Sequence, residues 1–184
     1  MWRRTAAVAA LLTLLPVGGG VAVAGSTPDL TAAGPTSVTG TEATAVFRIA
    51  DRTVRQVRYA DGGTLRYTFA VTNGSRLPVT IHGLTDDEPE TRLFTYRALT
   101  GPGGASEVRL GAGETRDLTL ALRMGGCESL SARAGAFVTE VVVRTDQAGV
   151  FSDDVTITLP EEVHTGSPRE AFCPRSTATS RPPG

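Results

Sequence analysis

TLRYTFAVTNGSRLPVTIHGL, residues 64–84, decides the fold class of this chain. Leu65, Tyr67, Phe69 and Val71 alternate with Arg66, Thr68, Ala70 and Thr72, so one face of the segment is apolar and the other largely polar. That period of two is the mark of a half-buried strand. Asn73-Gly74 then supplies turn chemistry, because glycine and asparagine tolerate positive φ. A second alternating run, Val79–Leu84, follows, so residues 64–84 read as a hairpin-like segment. Proline cannot donate to a ladder, so Pro78 is expected to begin an edge strand or a switch between sheets.

The same pattern recurs along the chain. Leu118, Leu120, Leu122 and Met124 form a second apolar face, and Val155, Ile157 and Leu159 a third. Residues 137–144 (FVTEVVVR) are apolar on both faces apart from Glu140, as suits a central strand. Shorter candidates are residues 45–49, 53–59, 79–84 and 93–99, and no segment sustains a 3.6-residue period. Glycine-rich turns at residues 61–63, 101–104, 111–113 and 147–149 separate the runs. The sum predicts an all-β, antiparallel sandwich of seven to nine strands.

The ends read differently. Arg3 and Arg4, the apolar run 6–15, a Pro/Gly break and Ala22-Val23-Ala24 make a secretory signal over residues 1–24, cut between Ala24 and Gly25. The competing assignment is a retained anchor, against which stand the short apolar run and its glycines. Paired arginines hint at twin-arginine export, without the residues expected after them. Residues 25–42, rich in Gly, Ser, Thr, Pro and Ala, are expected to form a flexible leader, and residues 176–184 a disordered tail. The folded domain is therefore placed at residues 43–175.

Removing 24 of 184 residues leaves 160, enough for one core. The formal charge moves from −1 to −3 as the two signal arginines leave, and so mild a charge argues against nucleic acid or anionic lipid as partner. Every basic residue is arginine, which with the Ala, Gly, Thr and Val excess suits a GC-rich bacterial source.

The spacing FAVTNGSRLPVTI followed by LGAGETRDLTLAL resembles bacterial immunoglobulin-like sandwiches, among them secreted actinobacterial proteins and PapD- and Hydin-type domains. In these an Asn-Gly-x-x-x-Pro-Val connection precedes a Leu-x-x-Gly-Glu turn and a Leu-x-Leu strand. The resemblance covers residues 64–159 and implies an immunoglobulin-like fold. Its motifs are made of turn and core residues, so it carries over no catalytic residue.

Residues with chemistry are sparse. His82 lies in an alternating run and His164 beyond the last strand, and no convergent third metal ligand is evident for either. Asp86, Asp87, Glu88 and Glu90 form the densest acidic cluster. They lack the EF-hand spacing, which leaves a solvated loop as the favoured assignment and calcium as the rival. No Gly-x-Ser-x-Gly elbow, Walker loop or dinucleotide fingerprint occurs. The single tryptophan, Trp2, leaves with the signal, so aromatic sugar platforms reduce to Tyr59, Tyr67 and Tyr96. No catalytic residue, cofactor or metal is assigned. The expected function is a non-catalytic structural or interaction module of the cell envelope that binds another envelope protein. A small-ligand or glycan-binding module and an enzyme with an unrecognised site are the alternatives. The expected partner-binding edge is Pro78, Val79, Thr80, Ile81 and His82, with the acidic cluster selecting a basic partner.

Cys127 and Cys173, an even count in an exported chain, are expected to form one disulfide rather than a metal site or catalytic thiol. Closing that loop stabilises the fold by about 4 kcal/mol on the chain-entropy model. Cys173→Ser should therefore lower stability by about 2–5 kcal/mol. Intact mass with and without reductant checks the bond, and two free thiols in the exported protein would refute it.

Overall fold

The computed structural model describes residues 27–41, 43–86, 91, 93–126 and 135–165. In chain order the strands are β1 (Leu30–Thr39), β2 (Ala43–Ile49), β3 (Arg52–Arg58), β4 (Thr64–Asn73), β5 (Val79–Leu84), β6 (Phe94–Thr100), β7 (Val108–Leu110), β8 (Thr115–Met124), β9 (Phe137–Gln147) and β10 (Phe151–His164). They form an all-β sandwich of a four-stranded sheet, β1-β4-β8-β6, and a six-stranded sheet, β2-β3-β10-β9-β5-β7. All pairings are antiparallel except β3 with β10, which is parallel.

The alternating faces meet between the sheets. Leu65, Tyr67, Phe69 and Val71 of β4 and Leu118, Leu120 and Leu122 of β8 are fully buried. They share one core with Ile81, Val141, Val143 and Ile157 of the larger sheet. Each such side chain contributes about 1.5–3 kcal/mol of burial free energy, and this holds the two layers together. Val155 and Leu159 are also buried, as their phase in β10 requires.

Four expectations are corrected. Residues 30–39 are not flexible leader but β1, laddered on β4 from Leu30↔Asn73 to Thr39↔Arg66. Its alternation is muted: Leu30 is buried while Ala32 and Val38 are half-buried, and backbone pairing does what side-chain composition does not announce. Among the described residues the strands number ten rather than seven to nine, because β1 and the three-residue β7 left no clear side-chain period. The segment 64–84 is not a hairpin, since β4 and β5 lie in different sheets; of the two roles open to Pro78, the chain takes the sheet switch. Finally, Pro78–His82 is not an edge. Val79, Thr80 and Ile81 pair with β9 on one side and β7 on the other. The expected signal and cleavage site, Cys127, Cys173 and the expected tail lie outside the described residues.

The sheet switch is fastened by Asn73, which is fully buried. Its Nδ2 donates to the carbonyls of Leu77, Leu110 and Gly111 at 2.9, 3.2 and 3.1 Å, and its Oδ1 accepts from Ser75 N–H at 2.9 Å. Its backbone N–H donates to Glu114 O, and its carbonyl accepts from Gly113 N–H. Next to it a Cβ at Gly74 would lie 2.4 Å from Asp29 Oδ2, so any larger residue there would displace the Asp29 side chain. Asn73→Ala should cost about 3 kcal/mol by orphaning buried carbonyls, and Asn73→Asp more, because a carboxylate would face those oxygens. Denaturant midpoints at unchanged m-value test this; a loss under about 1 kcal/mol would contradict it.

Candidate functional site

His82 sits where β5 stops being regular. Val79 and Ile81 point into the core and His82 outward, and then the register to β9 slips by one residue between Ile81 and Leu84. Gly83 takes φ +107 at this bulge, in the region that favours glycine. The bulge delivers the imidazole between two carboxylates. Its Nε2 is 2.5 Å from Asp146 Oδ2 on β9, and its Nδ1 is 3.3 Å from Glu107 Oε1 just before β7. The bond to Asp146 lifts the imidazole above its ordinary value, against the smaller cost of burial, and Glu107 adds to the rise.

Beside it, between the C-terminal half of β5 and β6, lies a groove of about 490 Å³ lined by Gly83, Leu84, Thr85, Arg97 and Ser106. Tyr96 reaches across the layers at this point, its hydroxyl donating to Glu140 O at 3.4 Å. Both ring nitrogens of His82 face carboxylates, and both can donate to them when the imidazole is protonated. Its geometry is that of a clasp joining β5, β9 and the approach to β7.

The remaining predicted residues are not gathered here. His164 stacks on Phe137 with ring centroids 4.5 Å apart, and the Arg52 guanidinium lies 5.7 Å from the same ring. Phe137 and Asp146 stand near opposite ends of β9, so the two histidines are roughly 30 Å of strand apart. Asp86 is exposed at the end of β5, loosely facing Arg144 at 3.9 Å, while Asp87, Glu88 and Glu90 lie outside the described residues. Among the described residues no group of three or more His, Cys, Asp or Glu side chains is placed to hold a metal ion.

Sequence reasoning missed a polar knot at the other end of the larger sheet. The Arg55 guanidinium grips Glu161 through two bonds, Nε–Oε2 at 2.6 Å and Nη2–Oε1 at 3.1 Å, with both side chains only 11% exposed. Nη2 also donates to Thr36 Oγ1 and Nη1 to Thr44 Oγ1. The Tyr67 hydroxyl approaches Glu161, and burial first, then that carboxylate, pushes the phenol up. Five strands, β1, β2, β3, β4 and β10, meet at this knot. A neighbouring pair, Arg52–Glu162, fixes the outer face of the β3–β10 junction.

Beyond the knot β2 overhangs the smaller sheet. Every described side chain of β2 is exposed, with Val46 at 49%, Phe47 at 47% and Ile49 at 58%. Phe137, 48% exposed, adds to the apolar surface of the same sheet. Of the four sheet edges, three carry a guard against strand addition. The register of β1 breaks between Ala33 and Ser37, around Pro35; β6 bulges between Tyr96 and Ala98; β7 is three residues long. By contrast β2 runs in continuous register over seven residues against β3, with no proline or glycine and one charge, Arg48. Compared with known proteins, the chain matches no protein-family model and no curated protein.

The His82 clasp makes stability depend on pH. With its folded value raised, its contribution is full below the ordinary imidazole value of about 6.5 and is lost as pH rises through the folded value. His82→Gln should therefore lower the denaturant midpoint at about pH 6 and lower it less at about pH 9. A deficit that does not change with pH would refute the clasp.

Proposed function

We propose that this chain is a non-catalytic, exported interaction module of the bacterial cell envelope, an immunoglobulin-like sandwich that holds an envelope protein by strand addition to β2. The observation carrying this reading is the unguarded β2 edge, regular in register, with Val46 exposed on one face and Phe47 and Ile49 on the other. The strand order supports the immunoglobulin-like part. β1-β4-β8-β6 follows the A-B-E-D order of those sandwiches, and β10-β9-β5 follows G-F-C. Export rests on the signal-like N-terminus.

One observation favours a small-ligand or glycan module instead: the groove beside His82 falls within the volume range of ligand pockets. It is flanked by two bulged strands, which suits a small ligand better than a strand.

A photo-activatable residue at position 46, on β2, or at position 109, on the guarded β7, separates the two readings. Irradiation in the envelope should yield a protein adduct from position 46 and none from position 109. Absence of an adduct at 46, with saturable glycan binding abolished by Arg97→Ala, would replace the strand-addition reading by the ligand one.

A further inference from the structure

Resting on the β2 reading above, we infer that the strand β2 accepts is an extended segment of a partner protein with acidic residues on one face and apolar residues on the other. The charge of the β2–β3 hairpin points to it. The hairpin carries Arg48, Arg52, Arg55 and Arg58 against a single carboxylate, Asp51 in its turn. Glu162 and Glu161 neutralise Arg52 and Arg55 within the fold. Arg48 and Arg58 have no ion-pair partner among the described residues, and both are exposed.

Strand alternation divides these features between two faces. Val46 and Arg48 share the face of Arg55, which is opposite Val46 in register. Phe47 and Ile49 occupy the other face with Val54 and, at its two ends, Arg52 and Arg58 of β3. An incoming strand therefore meets Val46 and the unpaired Arg48 on one side and the β2 side chains Phe47 and Ile49 on the other, where Arg52 and Arg58 stand one strand further in on β3. A carboxylate set cross-strand from Arg48 gains the pairing that β2 lacks, and a lysine there meets like charge. A second copy of β2 brings another arginine and no carboxylate, so charge selects a different chain as occupant.

Three short peptides test this on the full exported chain: one alternating valine with glutamate, one alternating valine with lysine, and the glutamate peptide with its central valine replaced by proline. Binding is followed by amide shifts at Thr44, Val46 and Arg48. The glutamate peptide should shift these amides and bind roughly tenfold more tightly than the lysine peptide at low salt, with the gap narrowing as salt is added. The proline peptide should lose the β2 shifts. Arg48→Glu, an exposed change that leaves the core untouched, should reverse the order of the two peptides. Equal binding of the glutamate and lysine peptides, binding of neither, or self-association that itself protects the β2 amides would each overturn the inference. Val46→Pro serves as a second variant, and glutamate-peptide binding that survives it would place the site elsewhere and overturn the inference too. The cross-link at position 46 reports separately. An adduct there together with charge-blind peptides keeps the edge and discards the acidic partner.

Discussion

The buried amide of Asn73 is the constraint on which the two-sheet arrangement depends. A strand leaving one sheet for the other exposes carbonyls inside the protein, where each unpaired group costs about 1–3 kcal/mol. One side chain serves three of them, Leu77, Leu110 and Gly111, while accepting from Ser75 N–H. Those carbonyls belong to two separate stretches, the 73–79 connection and the turn between β7 and β8. That turn is itself closed by Glu114, whose carboxylate accepts from Gly111 N–H at 2.7 Å and is held below its ordinary value chiefly by that bond. With the switch fixed, β5 is delivered beside β9 and β7 is set on its far side.

This explains what the sequence disclosed and what it withheld. The faces of β4, β8 and β10 were legible because large apolar side chains alternate there and all of them are buried. Asn73 and Gly111 were visible as turn residues, yet their contact across the chain was not, since it joins positions 38 apart through one amide. β1 was hidden by its small side chains and its broken register, although its backbone pairs along most of β4. The strength of β5 as a strand was apparent, and its neighbours were not. Whether a strand is an edge depends on which others fold beside it, and the three-residue β7 is too short to leave a period. The candidate site suffered in the same way: His82 stood out as a rare residue, while Glu107 and Asp146 are partners 25 and 64 positions away.

The mismatch between six strands and four has consequences at both ends of the larger sheet. At one end β5 bulges at Gly83 opposite the bulge of β6, and the His82 clasp secures the irregular backbone. At the other end the parallel junction of β3 with β10 covers only Glu162–His164, a short ladder for carrying a whole hairpin. The Arg55–Glu161 and Arg52–Glu162 pairs brace that junction from its two faces. A buried pair of this kind is weak evidence for net stability but sets geometry strictly, because moving either partner strands a charge. The two pairs thus tie the hairpin to β10, and on the proposed reading such preorganisation would lower the ordering cost of binding a partner.

The distribution of polar groups follows from the same economy. His82, Arg52, Arg55, Glu114, Glu161 and Glu162 are each committed to bonds that shape strands or turns. Groups so committed give a surface its form and charge. On the proposed reading, recognition would fall to what the fold leaves unpaired, namely backbone amides and carbonyls along β2, the apolar side chains on its two faces, and Arg48. Main-chain pairing would supply affinity without sequence preference, and alternate side chains would supply the selection. Because Arg48 and Phe47 are adjacent in sequence, they face opposite sides, so a strand added to β2 would have to satisfy charge and burial at neighbouring positions. A one-residue slip would set its carboxylates against Phe47 and Ile49 and its apolar residues against Arg48, which makes the register of the complex part of its specificity.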